Sequence, residues 1–277
     1  MFAQGLLAGQ RILVTGGGTG LGAAMAERFA ELGANLVLCG RREEVVRETG
    51  KHIAAKYGVS VDALKCDIRD PAQVDQMFDA IWQSGGITSL VNNAGAIFVA
   101  QTEHLSHRAF DAVLATTLHG TIYCTLAAGK RWIANGDAGN VLSILSTATI
   151  TGRGFTVPTV VSKTGVLAMT KSLAVEWASK RIRLVAIAPG TIPTAGFLEK
   201  VAAGRDHDSA SSTENTLERP GRPDELANLA TYLLSPAADY INGEMVVLDG
   251  GRHLRNSGVE DLLARTDAEW DAQRARR

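Results

Sequence analysis

Apolar residues in this chain follow two rhythms, short continuous runs and longer stretches at helical spacing, and the two alternate throughout. Ile12-Leu13-Val14-Thr15 reads as a strand, and Ala23 to Leu32 as a helix that Gly33 ends. Asn35 to Cys39 is a second strand, Glu43 to Tyr57 a helix, and Val61 to Lys65 a third strand. A helix led by Asp70-Pro71 follows, with proline at a tolerated first-turn position, and then the strand Ser89 to Asn92. From Ser106 to Asn135 the residues Phe110, Val113, Leu114, Leu118, Ile122 and Leu126 recur at helical spacing, which predicts a long helix whose apolar face meets the core and a second subunit. Strand Asn140 to Ile144, helix Val157 to Lys180 and strand Arg183 to Ala188 come next. The polar run Thr194 to Arg219 has no periodicity; a substrate lid is favoured there over a disordered loop. Helix Pro223 to Leu234 and strand Glu244 to Asp249 complete the pattern.

Strands alternating with helices predict an α/β chain: one doubly wound domain around a parallel sheet of about seven strands, with ligands above the strand carboxyl ends. Residues 1–251 form this domain, the lid at about 194–219 included, and residues 252–277 a C-terminal extension. The extension carries a charged, helix-like piece from Val259 to Ala264 and beyond Asp267, suited to cover the site or a neighbouring subunit.

Composition narrows the function classes. Of 277 residues 45% are hydrophobic, enough for an ample core, and 28 basic residues against 29 acidic ones leave no electrostatic footprint for nucleic acid. Cys39, Cys66 and Cys124 form no C-x-x-C pair and lie in or beside apolar runs, so they predict buried free thiols rather than disulfides or a zinc site. His52, His104, His107, His119, His207 and His253 show no metal-ligand spacing, and no metal is expected. Met1 to Gln10 lacks a charged signal-peptide start, no segment reaches the ~20 apolar residues of a membrane span, and Ala275-Arg276-Arg277 is not a peroxisomal signal. A soluble protein of the cytoplasm is the expectation.

Candidate chemistry begins at Gly16-Gly17-Gly18-Thr19-Gly20-Leu21-Gly22, between the first strand and its helix. Glycines there let backbone turn sharply and approach a diphosphate closely, while the helix offers unpaired N–H groups and its positive dipole end. With the second strand following, this is the Rossmann βαβ unit. At the end of that strand, where an acidic residue would accept bonds from an adenosine ribose, stand Arg41 and Arg42. Two guanidiniums suit a 2′-phosphate, which predicts NADPH over NADH. A solvated helix start is the competing reading, since Glu43 and Glu44 follow. Asp67, next to Ile68 at the end of the third strand, is placed to accept from an adenine amino group, or simply to precede a helix. Small residues in Asn92-Asn93-Ala94-Gly95 let a nicotinamide ribose lie against backbone.

Thr15-Gly16 with Gly20 and Gly22, Asn92-Asn93-Ala94-Gly95, Ser146, Lys163, Pro189-Gly190 and Asp249-Gly250-Gly251 together resemble the short-chain dehydrogenase/reductase family over roughly Gln10 to Gly251. The resemblance implies an NADP(H) site formed by Gly16, Gly18, Thr19, Gly20, Leu21, Gly22, Arg41, Arg42, Asp67, Ile68, Asn93, Ala94, Gly95, Lys163, Pro189, Gly190, Thr191 and Ile192. It implies that Lys163 holds the nicotinamide ribose hydroxyls, that Ser146 polarises a substrate carbonyl, and that the protein is a homotetramer.

The family's acid is a tyrosine four residues before the lysine, and here that position is Thr159; the family's helix asparagine is replaced by Thr117. A phenol near ~10 can be tuned toward working pH by a neighbouring ammonium, whereas an aliphatic alcohol cannot, so ordinary ketone reduction is disfavoured. The sequence is similar to the 2,4-dienoyl-CoA reductase branch, in which a smaller hydroxyl residue fills that place. The matching residues are Ser146-Thr147, Thr151-Gly152, Gly154-Phe155, Val157-Pro158, Asn242-Gly243, Ser257-Gly258, Asp261-Leu262 and Trp270-Asp271. The likeness implies that NADPH delivers hydride to the far end of a conjugated acyl-CoA thioester, that the dienolate is stabilised at its thioester oxygen and protonated on carbon, and that Ser146, Thr159 and Lys163 form the catalytic group with Thr147 and Phe155 against substrate. That branch's tyrosine and asparagine donors fall at Ala148 and Ile97 here, neither of which can donate. Ser146, Thr147, Thr159 or backbone N–H groups are the remaining candidates, with His119 and Tyr123 more remote ones. Reduction or oxidation of another small substrate, and non-catalytic NADP binding, are the alternatives.

Overall fold

A computed structural model describes residues 2–195, 215–255 and 265–274. Seven parallel strands make one sheet: β1 (Arg11–Thr15), β2 (Asn35–Gly40), β3 (Val61–Lys65), β4 (Ser89–Asn92), β5 (Gly139–Ile144), β6 (Ile182–Pro189) and β7 (Met245–Leu248). Their order is β3-β2-β1-β4-β5-β6-β7. The chain reverses its direction of winding between β1 and β4, and the diverging connections there leave a crevice at the strand carboxyl ends.

Among the described residues the helices are α1 (Gly20–Glu31), α2 (Glu43–Tyr57), α3 (Pro71–Gln83), α4 (His107–Leu114), α5 (Gly120–Asn135), α6 (Ala148–Thr151), α7 (Val157–Glu176), α8 (Pro223–Leu234) and α9 (Asp267–Arg274). Successive strand residues point to opposite faces, so each strand feeds two cores. Val14, Leu36, Leu142 and Ile187 pack with Phe29 of α1 and Leu233 of α8 on one side. Leu13, Val37, Leu90 and Val141 pack with Phe78 of α3 and Trp132 of α5 on the other. Burial on both faces is why the strands read as continuous apolar runs rather than alternating ones.

Two elements depart from their sequence pattern. The helix expected over Val157 to Lys180 ends at Glu176, where the chain tightens into a 3₁₀ turn, Ala178–Lys180. Trp177 is buried at that bend, its ring so close to Gly129 that a Cβ there would lie 2.4 Å from it. The helix expected from Ser106 to Asn135 is interrupted by a π turn, Ala115–His119, between α4 and α5. Its buried side carries Val113, Thr117, Thr121, Cys124, Thr125, Ala128 and Trp132, whereas Phe110, Leu114, Leu118 and Ile122 are only half-buried and Leu126 is exposed. The stretch His107–Asn135 contains an 18-residue window with the mean hydropathy, 1.2, of a membrane span, but half of that window is buried inside the protein as in a core helix.

The body of the expected lid, 196–214, and the first tail piece, Val259 to Ala264, lie outside the described residues. The second tail piece is helical, as α9.

Candidate active site

The loop from β1 to α1 is shaped by contacts that exclude side chains. Gly16 has φ of 65°, a conformation L-residues rarely adopt, and a Cβ on Gly22 would lie 2.4 Å from the Gly16 oxygen and 2.5 Å from Asn93 Nδ2. Gly22 is therefore a packing residue beneath the loop. Thr15 and Asn93 hold the two strand ends together. Thr15 Oγ1 accepts from the Asn93 and Ala94 N–H groups at 3.0 and 3.1 Å, and Asn93 Nδ2 donates to the Thr15 oxygen at 2.9 Å.

Above this floor lies an open cleft of about 450 Å³ lined by Gly16, Gly18, Thr19, Arg41, Arg42, Asp67, Ile68, Asn93, Ala94 and Gly95. Ten sequence-predicted residues thus come together. Gly20 and Leu21 start α1 at the cleft's edge, and Gly20 lies beside Thr194, 3.7 Å from where a Cβ would sit. Thr116, Val45, Val46, Cys39, Gly40 and Cys66 also line the cleft and carried no signal in the sequence beyond their strand and helix patterns.

At the cleft's outer end Arg41 and Arg42 are exposed. Asp67 is clasped by Arg69, whose Nε lies 2.9 and 3.0 Å from the two carboxylate oxygens and whose Nη2 lies 2.5 Å from one of them. That guanidinium holds the Asp67 carboxyl below the usual range, with a smaller pull from Arg41. Sequence reasoning missed Arg69, although Asp67-Ile68-Arg69 places a cation two residues from the acid.

At the inner end Lys163 donates from Nζ to the Ile144 carbonyl at the end of β5. Burial lowers its amine to about 8. A Cβ on Gly95 would be 3.5 Å from Lys163 Nζ, so the lysine meets the cleft at Gly95. Ser146 Oγ accepts from the Ala148 N–H at 3.3 Å, which leaves its own proton available. Thr159 Oγ1 donates to the Ala96 carbonyl at 3.3 Å. Thr147 is half-buried at the start of α6. Phe155 is 60% exposed with φ of 62°, and its carbonyl accepts from the Ala100 N–H at 2.9 Å.

Pro189 ends β6, and Gly190, Thr191 and Ile192 follow it without lining the cleft. A Cβ on Gly190 would be 2.7 Å from Asp249 Cβ, so this glycine too serves close packing. Thr191 and Ile192 line a separate cavity of about 70 Å³ with Asn215, Asp249 and Arg252, and Arg252 Nη1 donates to Thr191 Oγ1 at 3.2 Å. Ala148 is buried and Ile97 half-buried, and neither side chain can donate. Tyr123 packs against the α3–α5 core, its ring 6.2 Å from that of His119. Among the described residues no group of three or more His, Cys, Asp or Glu side chains is placed to hold a metal.

A glycine cradle at a helix N-terminus, a cleft at the winding reversal and paired guanidiniums at its rim define a dinucleotide-binding oxidoreductase, and they fit an adenine dinucleotide carrying an extra phosphate. The chain belongs to the short-chain dehydrogenase/reductase family. Residues 16–253 match that family's model for enoyl-(acyl carrier protein) reductase. A probable 2,4-dienoyl-CoA reductase of Caenorhabditis elegans, named as producing the (3E)-enoyl-CoA, is 39% identical over 92% of this chain and 84% of its own. A probable 2,4-dienoyl-CoA reductase of Bacillus subtilis, named as producing the (2E)-enoyl-CoA, is 38% identical over 88% of this chain and 96% of its own. The crystal structure of L-sorbose reductase from Gluconobacter frateurii with NADPH and L-sorbose superposes with a TM-score of 0.83 at 26% identity, covering 89% of this chain and 97% of that one.

Proposed function

We propose that this protein is an NADPH-dependent reductase of a conjugated enoyl or dienoyl thioester, in the manner of 2,4-dienoyl-CoA reductases. One observation carries the reading: the residue in the tyrosine position is a threonine whose hydroxyl is bonded to the Ala96 carbonyl. A ketone becoming an alkoxide needs a tunable acid there; a conjugated thioester reduced at carbon does not.

When bound along the cleft, NADPH would supply the hydride to the far carbon of the conjugated thioester, and water would supply the proton that then adds to carbon. Arg41 and Arg42 bind its 2′-phosphate, Asp67 keeps a lone pair for the adenine amino group, and the Gly16–Gly22 loop with the α1 N-terminus holds the diphosphate. Lys163 donates to the nicotinamide ribose beside Gly95. Pro189 to Ile192 close the nicotinamide side. Ser146 turns its hydroxyl proton to the thioester oxygen as negative charge develops there, a donor worth roughly 3 kcal/mol in comparable sites. Thr147 and Phe155 border the acyl chain.

The assembly is a homotetramer. α7 is rich in apolar residues, and Val161, Ala168 and Val175 are exposed along one stripe of it, with Thr164, Lys171 and Ser172 between them. Three buried, free thiols support a reducing, cytoplasmic setting.

The test is loss of NADPH absorbance when purified protein is mixed with a 2,4-dienoyl-CoA, followed by product analysis. Turnover is expected, with Ser146→Ala slowing it about 100-fold; the product's double bond, at C2 or C3, tells which carbon is protonated. Ketone turnover without dienoyl-CoA turnover would overturn the reading, and NADPH binding without any turnover would make this a binding protein.

A further inference from the structure

We propose that Thr159 is a positioning residue: with Thr117 it clamps the Ala96 backbone from two helices, and this clamp sets the Gly95 backbone against Lys163. Residue 96 is held at both of its backbone polar groups. The N–H of the Gly95–Ala96 peptide donates to Thr117 Oγ1 at 3.0 Å, and the carbonyl of the Ala96–Ile97 peptide accepts from Thr159 Oγ1 at 3.3 Å. A hydroxyl has a single proton, and that of Thr159 is directed at backbone rather than at the cleft.

Thr117 reaches Ala96 because it sits in the π turn, where the wider turn re-aims side chains away from the α-helical register. It is fully buried, and Thr121 Oγ1 donates to its carbonyl at 2.9 Å, which fixes the turn from the following residues. The hydroxyl of Thr117 also lies 3.5 Å from the Ala96 oxygen, so both threonines reach the Ala96 carbonyl.

The clamp is the middle of three anchors on this segment. Upstream, the Asn93 and Ala94 N–H groups bind Thr15 Oγ1. Downstream, the Ala100 N–H binds the Phe155 carbonyl. Gly95 lies between the first anchor and the clamp, 3.5 Å from Lys163 Nζ and 3.7 Å from Thr117 Oγ1 measured from where its Cβ would be. Releasing Ala96 therefore moves the stretch of backbone that borders the cofactor cleft at the lysine.

The test is a double-mutant cycle of Thr117→Val and Thr159→Val, read as the NADPH dissociation constant by fluorescence titration, with urea unfolding alongside. Each single change is expected to weaken NADPH binding roughly threefold to tenfold, the equivalent of one net hydrogen bond. The double variant is expected to be no weaker than the worse single one, because both hydroxyls fix the same residue, Ala96. Thr159→Ser is expected to restore binding, and Thr159→Val to leave the pH profile of kcat with dienoyl-CoA unchanged. Additive losses would overturn the clamp. So would unaltered NADPH affinity joined to a kcat that falls 100-fold and loses a pH limb, since Thr159 would then be the acid. If Thr117→Val fails to fold, the comparison of Thr159→Val with Thr159→Ser decides alone. The rate readout rests on the reaction proposed above; if wild-type protein does not reduce a dienoyl-CoA, that proposal fails while the affinity cycle still decides this one.

Discussion

Lys163 reaches across the end of β5 with its amine inside the protein, and this placement dictates how the fold responds to pH. Burial lowers the amine from 10.5 to about 8. Between those values the unfolded chain binds a proton that the folded one has released, so the lysine's own contribution to stability rises with pH across the window, and below about 8 the protein carries the full penalty of a buried ammonium. The three buried thiols act in the opposite sense in the same window, and they do so equally in wild type and in Lys163→Met. In denaturant titrations of the cofactor-free protein, Lys163→Met is expected to be more stable than wild type at pH 7, and that advantage to shrink from pH 8 to 10. A difference between the two that stays constant with pH would mean the amine is solvated. The lysine itself was legible in the sequence. Its acceptor was not, because the Ile144 carbonyl is a backbone group, and backbone groups leave no trace in residue identity. The Ala96 carbonyl that takes up Thr159 escaped for the same reason.

At the scale of elements, boundaries were legible wherever local chemistry punctuates them. α2 runs from Glu43 to Tyr57 as read, because Gly58 adopts φ of 69° and ends it. α8 starts at Pro223 as read, with Glu225 accepting from the Arg222 N–H at 2.8 Å. The stop at Glu176 was missed because Trp177, not a glycine or proline, makes it, and that tryptophan is placed by Gly129 far away in the chain. The buried side of the π turn and α5 was misjudged for a related reason. Thr121 and Thr125 look polar, but Thr121 donates to the carbonyl four residues back and Thr125 accepts from Asn92, so both are satisfied inside. The strongest prediction at this scale concerns the glycine loop. Gly22→Ala places a methyl against backbone that cannot yield, and is expected to cost about 1–3 kcal/mol in urea unfolding and to weaken NADPH binding at least tenfold. A variant with native stability and affinity would show that α1 slides freely against β1.

For the whole molecule, the alternation of runs was enough to give seven parallel strands, since the right-handed crossover rule leaves few ways to wind them. It does not say which surface a second copy would cover. The half-buried Phe110, Leu114 and Ile122 and the 82% exposed Val175 are apolar positions that the proposed assembly would bury, whereas Leu118 already packs against the core beside Gly165. Replacing Ala168 and Val175 by glutamate is expected to convert the proposed tetramer to smaller species in light scattering coupled to gel filtration, with the secondary structure retained. A tetramer that persists would assign the stripe to another role.

The three cysteines on the α3–α5 side of the sheet have a practical consequence. Cys39 and Cys66 border the cofactor cleft, Cys124 packs on the same core, and burial raises all three thiols, Cys66 to about 11. Thiolate is therefore scarce and inaccessible in the native state. A disulfide reagent such as dithionitrobenzoate should stain the folded protein only as fast as the sheet opens, making these side chains a built-in clock for that opening. Because two of them stand at the adenine end of the cleft, NADPH is expected to slow the clock, and the degree of slowing measures how tightly the dinucleotide fastens β2 and β3 to the rest of the sheet.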